Sequence, residues 1–225
     1  MTYTGNGATN ATVGHGLNAV PSMIVVKSTN GASDWEVMHK SLPTNYGLRL
    51  DTTSAQINLP SATAGGGLST SPTSSTFSFV SGTSNANNVN ENTRTWVAYV
   101  FSEVPGFSKF GSYVGNGSAD GPFVYTGFKP KYVLIKDITA ASSWLVRDSV
   151  RSSQNPNNLN LNPNNSQAEG TTDTPAASHI TDLLSNGFKL RANGGADNAS
   201  GRTYIYAAFA EVPFGGAGIS PANAR

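Results

Sequence analysis

Short runs of β-branched and aromatic residues, separated by polar stretches rich in Gly, Ser, Thr and Asn, set the rhythm of this chain. Met23-Ile-Val-Val-Lys27 and Tyr132-Val-Leu-Ile-Lys136 are two such runs. Each follows a proline, Pro21 or Pro130, that can open a strand but not sit centrally in one. In Trp35-Glu-Val37-Met-His39 and Trp144-Leu-Val146-Arg-Asp148 a two-residue period puts tryptophan and valine on one face, which places the tryptophans beside core valines. Thr95 to Phe101 and Thr203 to Phe209 are longer and nearly continuous in apolar character, as central strands covered on both sides would be. Gly5-Asn6-Gly7 and Gly115-Asn116-Gly117 supply residues tolerant of positive φ and predict tight hairpin turns. Ser178 to Ser185 reads as one short helical turn ahead of Asn186-Gly187.

These elements come in pairs offset by about 109 residues, so the chain is two copies of one unit. The intervals from Pro21 to Lys27 to Trp35 and from Pro130 to Lys136 to Trp144 match without a gap. Asn90, Arg94, Thr95, Trp96, Phe101, Glu103, Val104 and Pro105 reappear as Asn198, Arg202, Thr203, Tyr204, Phe209, Glu211, Val212 and Pro213. The middle of the unit drifts: Leu48-Arg-Leu50-Asp51 loosely echoes Leu159-Asn-Leu161-Asn162, and each copy carries a low-complexity stretch, Pro60 to Ser75 or Asn155 to Ser166. The boundary falls near Pro105 to Gly111, too short for a flexible spacer, so the domains are expected to touch. The domains are 1–108 and 109–214, with 215–225 as an extended tail.

Composition narrows the function. The 27 Ser, 22 Thr, 23 Asn and 24 Gly suit short strands and turns and disfavour long helices. Charged residues are 12% of the chain with a net charge of +1, which lacks the footprint of a nucleic-acid binder. No apolar run approaches the roughly 20 residues of a membrane helix, and Met1 to Asn10 lacks the features of a signal peptide, so no membrane insertion is expected. Without cysteine, stability must come from packing, backbone pairing and assembly.

Candidate chemistry is sparse. His15, His39 and His179 are scattered without metal-ligand spacing, and no Gly-x-Ser-x-Gly elbow occurs, so no catalytic residue, metal or cofactor is expected. Glu103 and Glu211 hold equivalent positions, which favours one local job done twice over the two halves of a glycosidase pair. Arg94 and Arg202 admit substrate binding or a structural fork of hydrogen bonds to an acid or to backbone carbonyls at the sandwich rim, and arginine's planar donors favour the fork. The asparagine-rich loop 155–166, Asp182 and Asp197-Asn198 offer oxygen ligands for calcium, without an EF-hand pattern. Trp35, Trp144, Trp96 and Tyr204 admit sugar stacking or core packing, and the alternation favours the core for Trp35 and Trp144.

The Gly-Asn-Gly start, the Pro-Lys-Trp spacing and the aromatic strand ending in Phe209-Ala-Glu-Val-Pro-Phe214 resemble a β-rich domain in structural proteins of marine tailed bacteriophages, over nearly the whole chain and twice. The resemblance implies a non-enzymatic virion protein, of a tail or fibre, with loops for contact with host-surface glycan. The alternative is a capsid-decorating protein that stabilises the head shell. Its partners would be other virion proteins and further copies of itself, a trimer being one symmetric solution. The expected fold is all-β: two tandem, similar antiparallel β-sandwich domains, jelly-roll-like, with long polar loops.

Overall fold

The computed structural model describes residues 1–8, 11–60, 66–80, 89–170 and 179–212; Pro213 and the tail 215–225 lie outside them. The chain divides into two compact units, Met1–Ser102 and a second that begins at Glu103. The first unit contains β1 (Thr2–Thr4), β2 (Thr12–Gly14), β3 (Met23–Ser28), β4 (Glu36–His39), β5 (Tyr46–Arg49), β6 (Ile57–Asn58), β7 (Gly67–Leu68), β8 (Thr76–Val80) and β9 (Thr95–Phe101). The second contains β10 (Ser108–Val114), β11 (Phe123–Tyr125), β12 (Pro130–Asp137), β13 (Leu145–Asp148), β14 (Thr181–Leu184), β15 (Gly187–Leu190) and β16 (Thr203–Ala210).

Each unit is an antiparallel sandwich of a larger and a three-stranded sheet. The first orders its strands β1-β9-β3-β4-β5-β6 and β2-β8-β7; the second orders them β10-β16-β12-β13 and β11-β15-β14. With β5 and β6 set aside, the two orders are the same strand for strand, so the repeat is one of topology as well as of residues. The two-residue period turns alternate side chains of facing sheets toward each other. Ile24, Val26, Phe77 and Trp96 fill the first core, with Tyr3 and Val13 against them. Val133, Ile135, Phe188 and Tyr204 fill the second, with Tyr113 and Val124. Tyr3 stacks on Trp96 with ring centroids 6.4 Å apart, and Tyr113 on Tyr204 at 5.2 Å.

Strand limits, the unit boundary, the alignment of the middles and the covering of β9 depart from the sequence reading. Thr181–Leu184 is a strand, not a helical turn, because Thr181 and Leu183 are buried on one face and Leu183 pairs with Phe188. The boundary lies six residues earlier than expected: the Val104–Ser108 bridge and the Ala210 N–H bond to Phe107 tie residues 103–107 to the second unit. The middles align two residues further on, for Val37 pairs with Leu48 and Val146 bridges Leu161. Finally, β16 is covered on both faces, whereas Tyr99 leaves β9 half-exposed at 48%.

Adjacent inward positions carry unlike residues in the two copies. On β4 they are Glu36 and Met38, on β13 Leu145 and Arg147, so each unit buries one charge where the other has an apolar side chain. Opposite Glu36 on β5, the Arg49 Nε lies 3.1 Å from its Oε1 and 3.0 Å from Asp34 Oδ2. Burial outweighs that guanidinium and lifts the Glu36 carboxyl from 4.5 to about 7. Between those values the folded state keeps a proton that the unfolded chain releases, so this stabilisation is complete below pH 4.5 and is lost as pH rises. We predict that the urea midpoint of the first unit falls between pH 4.5 and 7 and that Glu36→Gln flattens the profile; a wild-type midpoint that rises over this range contradicts the assignment.

Candidate functional site

The repeated residues converge on one feature in each unit. Gly5-Asn6-Gly7 does not close a hairpin; it lies against the loop that precedes β9. The Gly5 N–H bonds Arg94 O at 2.8 Å and the Gly7 N–H bonds Asn90 O at 2.9 Å. Asn90 Oδ1 accepts the Asn6 N–H at 3.1 Å, while Asn90 Nδ2 donates to Asn6 Oδ1 and Ala8 O, each at 3.0 Å. In the second unit Gly115 bonds Arg202 O and Gly117 bonds Asn198 O, both at 2.9 Å. Asn198 Oδ1 accepts the Asn116 N–H at 2.9 Å, and Asn198 Nδ2 donates to Asn116 Oδ1, Ser118 O and Ala192 O. The tyrosine hydroxyls complete the correspondence, Tyr3 donating to Val89 O and Tyr113 to Asp197 O.

This asparagine clasp explains the glycines. A Cβ on Gly5 would stand 2.1 Å from Glu91 O, and one on Gly115 2.3 Å from Ala199 O, so no larger residue fits without moving backbone. Gly7 and Gly117 have φ of 69° and 67°, which glycine adopts without steric cost. The hairpin expectation fails because the two sides of the contact are more than eighty residues apart in sequence.

The other repeated residues are also engaged within their units. Pro130 opens β12 and Pro21 is buried two residues before β3; Pro105 lies exposed in the turn that leads to β10. Arg94 bonds Ala32 O at 2.8 Å and Glu91 Oε2 at 2.8 Å; Arg202 bonds Asp137 Oδ2 at 3.1 Å. Lys27 donates to Ser33 O and stands over the Trp35 ring, while buried Lys136 donates to Asp137 O at 2.7 Å and is pulled down to about 8 by desolvation. Glu103 accepts the Phe110 N–H and faces Lys109, whereas Glu211 accepts Ser149 and pairs with Lys129 at 2.7 Å, which holds its carboxyl below the ordinary value. The two glutamates thus serve different contacts.

Trp144 is buried beside Val146 as the alternation implies, whereas Trp35 is only half-buried beside buried Val37. Trp35 and Trp144 share a face with Val37 and Val146, but it is the face turned away from the facing sheet, because the inward residues are those at 36, 38, 145 and 147. Trp144 is buried there, with its backbone N–H donating to Asn164 Oδ1 at 2.8 Å. Trp35 is half-buried and stacks on exposed Tyr99 at 6.4 Å.

A buried ionic cluster in the second unit escaped the sequence reading. Arg147 Nη1 bonds Asn160 Oδ1 at 3.1 Å, Nη2 bonds His179 O at 2.6 Å, and Nη2 lies 3.6 Å from Asp197 Oδ2. Asp197 Oδ1 meets His179 Nδ1 at 3.1 Å. Desolvation pushes the Arg147 guanidinium down against the pull of Asp197. The first unit has Met38 and Val89 at the places of Arg147 and Asp197, and that mismatch between equivalent positions was the available signal. The proposed calcium ligands are committed elsewhere, Asp182 to Arg191 and Asp197 to this cluster. Among the described residues no group of three His, Asp or Glu is placed to hold a metal.

One family model, described as a domain of unknown function (DUF7483), matches residues 1–213 and so spans the two units together. No curated protein and no solved structure matches the chain. The units therefore serve as each other's reference, and the first already shows an apolar solution at the ionic site. We predict that Arg147→Met alone costs the second unit about 3–5 kcal/mol by stranding Asp197, and that adding Asp197→Val recovers most of the loss. A double-mutant cycle in urea measures this; strictly additive losses contradict it.

Proposed function

The chain belongs to the DUF7483 family, whose function is not established; we propose that it is a non-enzymatic structural protein of a bacteriophage virion, carried on a tail or fibre for contact with host-surface glycan. What supports this reading is a division of labour between the two copies. Residues kept in both are bonded within their own unit: Gly5 and Gly115, Asn90 and Asn198, and Arg94 to backbone, and Arg202 to the Asp137 carboxylate. Outward positions have diverged, with half-exposed Tyr99 on β9 where β16 has buried Ala207. A frame held constant beneath surfaces free to change suits display better than chemistry, since catalysis needs convergent titratable groups.

The resemblance of the repeat to virion proteins supplies the setting, and further virion proteins and copies of this chain are its proposed partners. Antibody raised against the full chain, applied to particles that carry it, tests the location by electron microscopy. Label on tails or fibres, with saturable binding of the purified protein to host cells, is the expected result. Label on heads without cell binding would make it a decoration protein, and absence from purified particles would remove the virion role altogether.

A further inference from the structure

β11 is an edge strand of the β11-β15-β14 sheet, and its three residues divide cleanly. Val124 points into the core, while Phe123 and Tyr125 point out and remain 45% and 50% exposed. Residues two apart on a strand stand about 7 Å from each other on one face, so the rings form a short aromatic row. Gly187, opposite Tyr125, lies under the row; a Cβ there would stand 2.2 Å from Val124 O and 3.0 Å from Phe123 Cε2 and Cζ, so backbone and ring both close on it.

The first unit shows that the frame does not demand these rings. The buried cross-strand pair Val124 and Phe188 corresponds to Val13 and Phe77. Counting outward from it, Phe123, Tyr125, Lys189 and Gly187 take the places of Thr12, Gly14, Ser78 and Thr76. The same sandwich closes with a small polar face in one copy and with two exposed aromatics in the other. Exposing apolar rings to water gives up burial energy, so a contact outside the unit is the remaining reason for them.

Tyr125 also lines a pocket of about 210 Å³ with Glu103, Ser108 and Lys109. Its carboxylate and ammonium lie 3.4 Å apart and are partly exposed, offering an acceptor and a donor with no net charge. The charges around the row are neutralised likewise, Lys189 by Asp120 at 2.8 Å and Arg191 by Asp182 at 2.7 Å. A polyanion or polycation would find no field to follow. A protein partner would find too little surface: two half-exposed rings offer on the order of 200 Å². A stable interface takes about 800 Å² from each side. An uncharged sugar ring fits, with an apolar C–H face to lie on an aromatic and hydroxyls that both donate and accept.

We infer that the outer face of the β11-β15-β14 sheet, with Phe123 and Tyr125 as platform and the Glu103–Lys109 pocket beside it, binds an uncharged carbohydrate chain. This rests on the adhesive role proposed above and moves the contact from the loops to a sheet face of the second unit. The test is native affinity electrophoresis of the full chain through gels containing dextran, mannan, galactan or xylan, with alginate as the acidic polymer. The variant Phe123→Thr/Tyr125→Thr gives position 123 the residue of its counterpart Thr12 and replaces the Tyr125 ring with a small polar side chain that suits a strand, and Tyr99→Thr serves as control. At least one neutral polymer should retard the wild type, with affinity reduced at least tenfold in the double variant, unchanged in the control, and thermal unfolding preserved.

Undiminished retardation of the double variant, retardation by alginate alone, or none by any neutral polymer overturns the assignment. So does self-association in sedimentation that the double variant abolishes, which would make the row a protein contact. Host-cell adherence separates the two levels. Adherence by wild type and double variant alike refutes this site and leaves the adhesive role standing, whereas adherence by neither refutes the role as well.

Discussion

In each unit one asparagine amide ties the chain's entry into the sandwich to the loop before its central strand. Asn90 and Asn198 spend their side-chain oxygen and nitrogen on backbone and amide groups of the segment that follows β1 or β10. Such bonds matter because the segment crosses from one sheet to the other, where ladder pairing cannot satisfy its polar groups. With the crossing fixed, Tyr3 and Tyr113 take up their stacked places on Trp96 and Tyr204, and the core between the sheets is set.

Duplication makes the molecule its own control. Where the copies agree, as at the clasp glycines, geometry forbids the alternative. Where they differ, the difference shows what the frame tolerates: Glu36 against Leu145 and Met38 against Arg147 inside, Thr12 against Phe123 and Gly14 against Tyr125 outside. Interior differences are settled by pairing each charge within its unit. Those outside have no such internal reason, which is why the proposed contact lies there.

Much of the fold was legible in the sequence because strand periodicity and the repeat are local signals, and they placed β3, β4, β9 and their second copies well. Asn90 and Asn198 could be seen as repeated but not as clasps, since their partners lie more than eighty residues away. The alternation correctly joined Trp35 to Val37 but gave no means of choosing which face meets the second sheet. The Phe123–Tyr125 row stayed hidden because its strand is three residues long and its counterpart contains no aromatic residue.

Amide hydrogen exchange at Gly5, Gly7, Gly115 and Gly117 tests the clasp most directly. These four lie outside any strand, yet the account predicts protection comparable to that of Ala98 and Ala208 in the central strands of their own units. Exchange at the rate of open loops, in either unit, would contradict it.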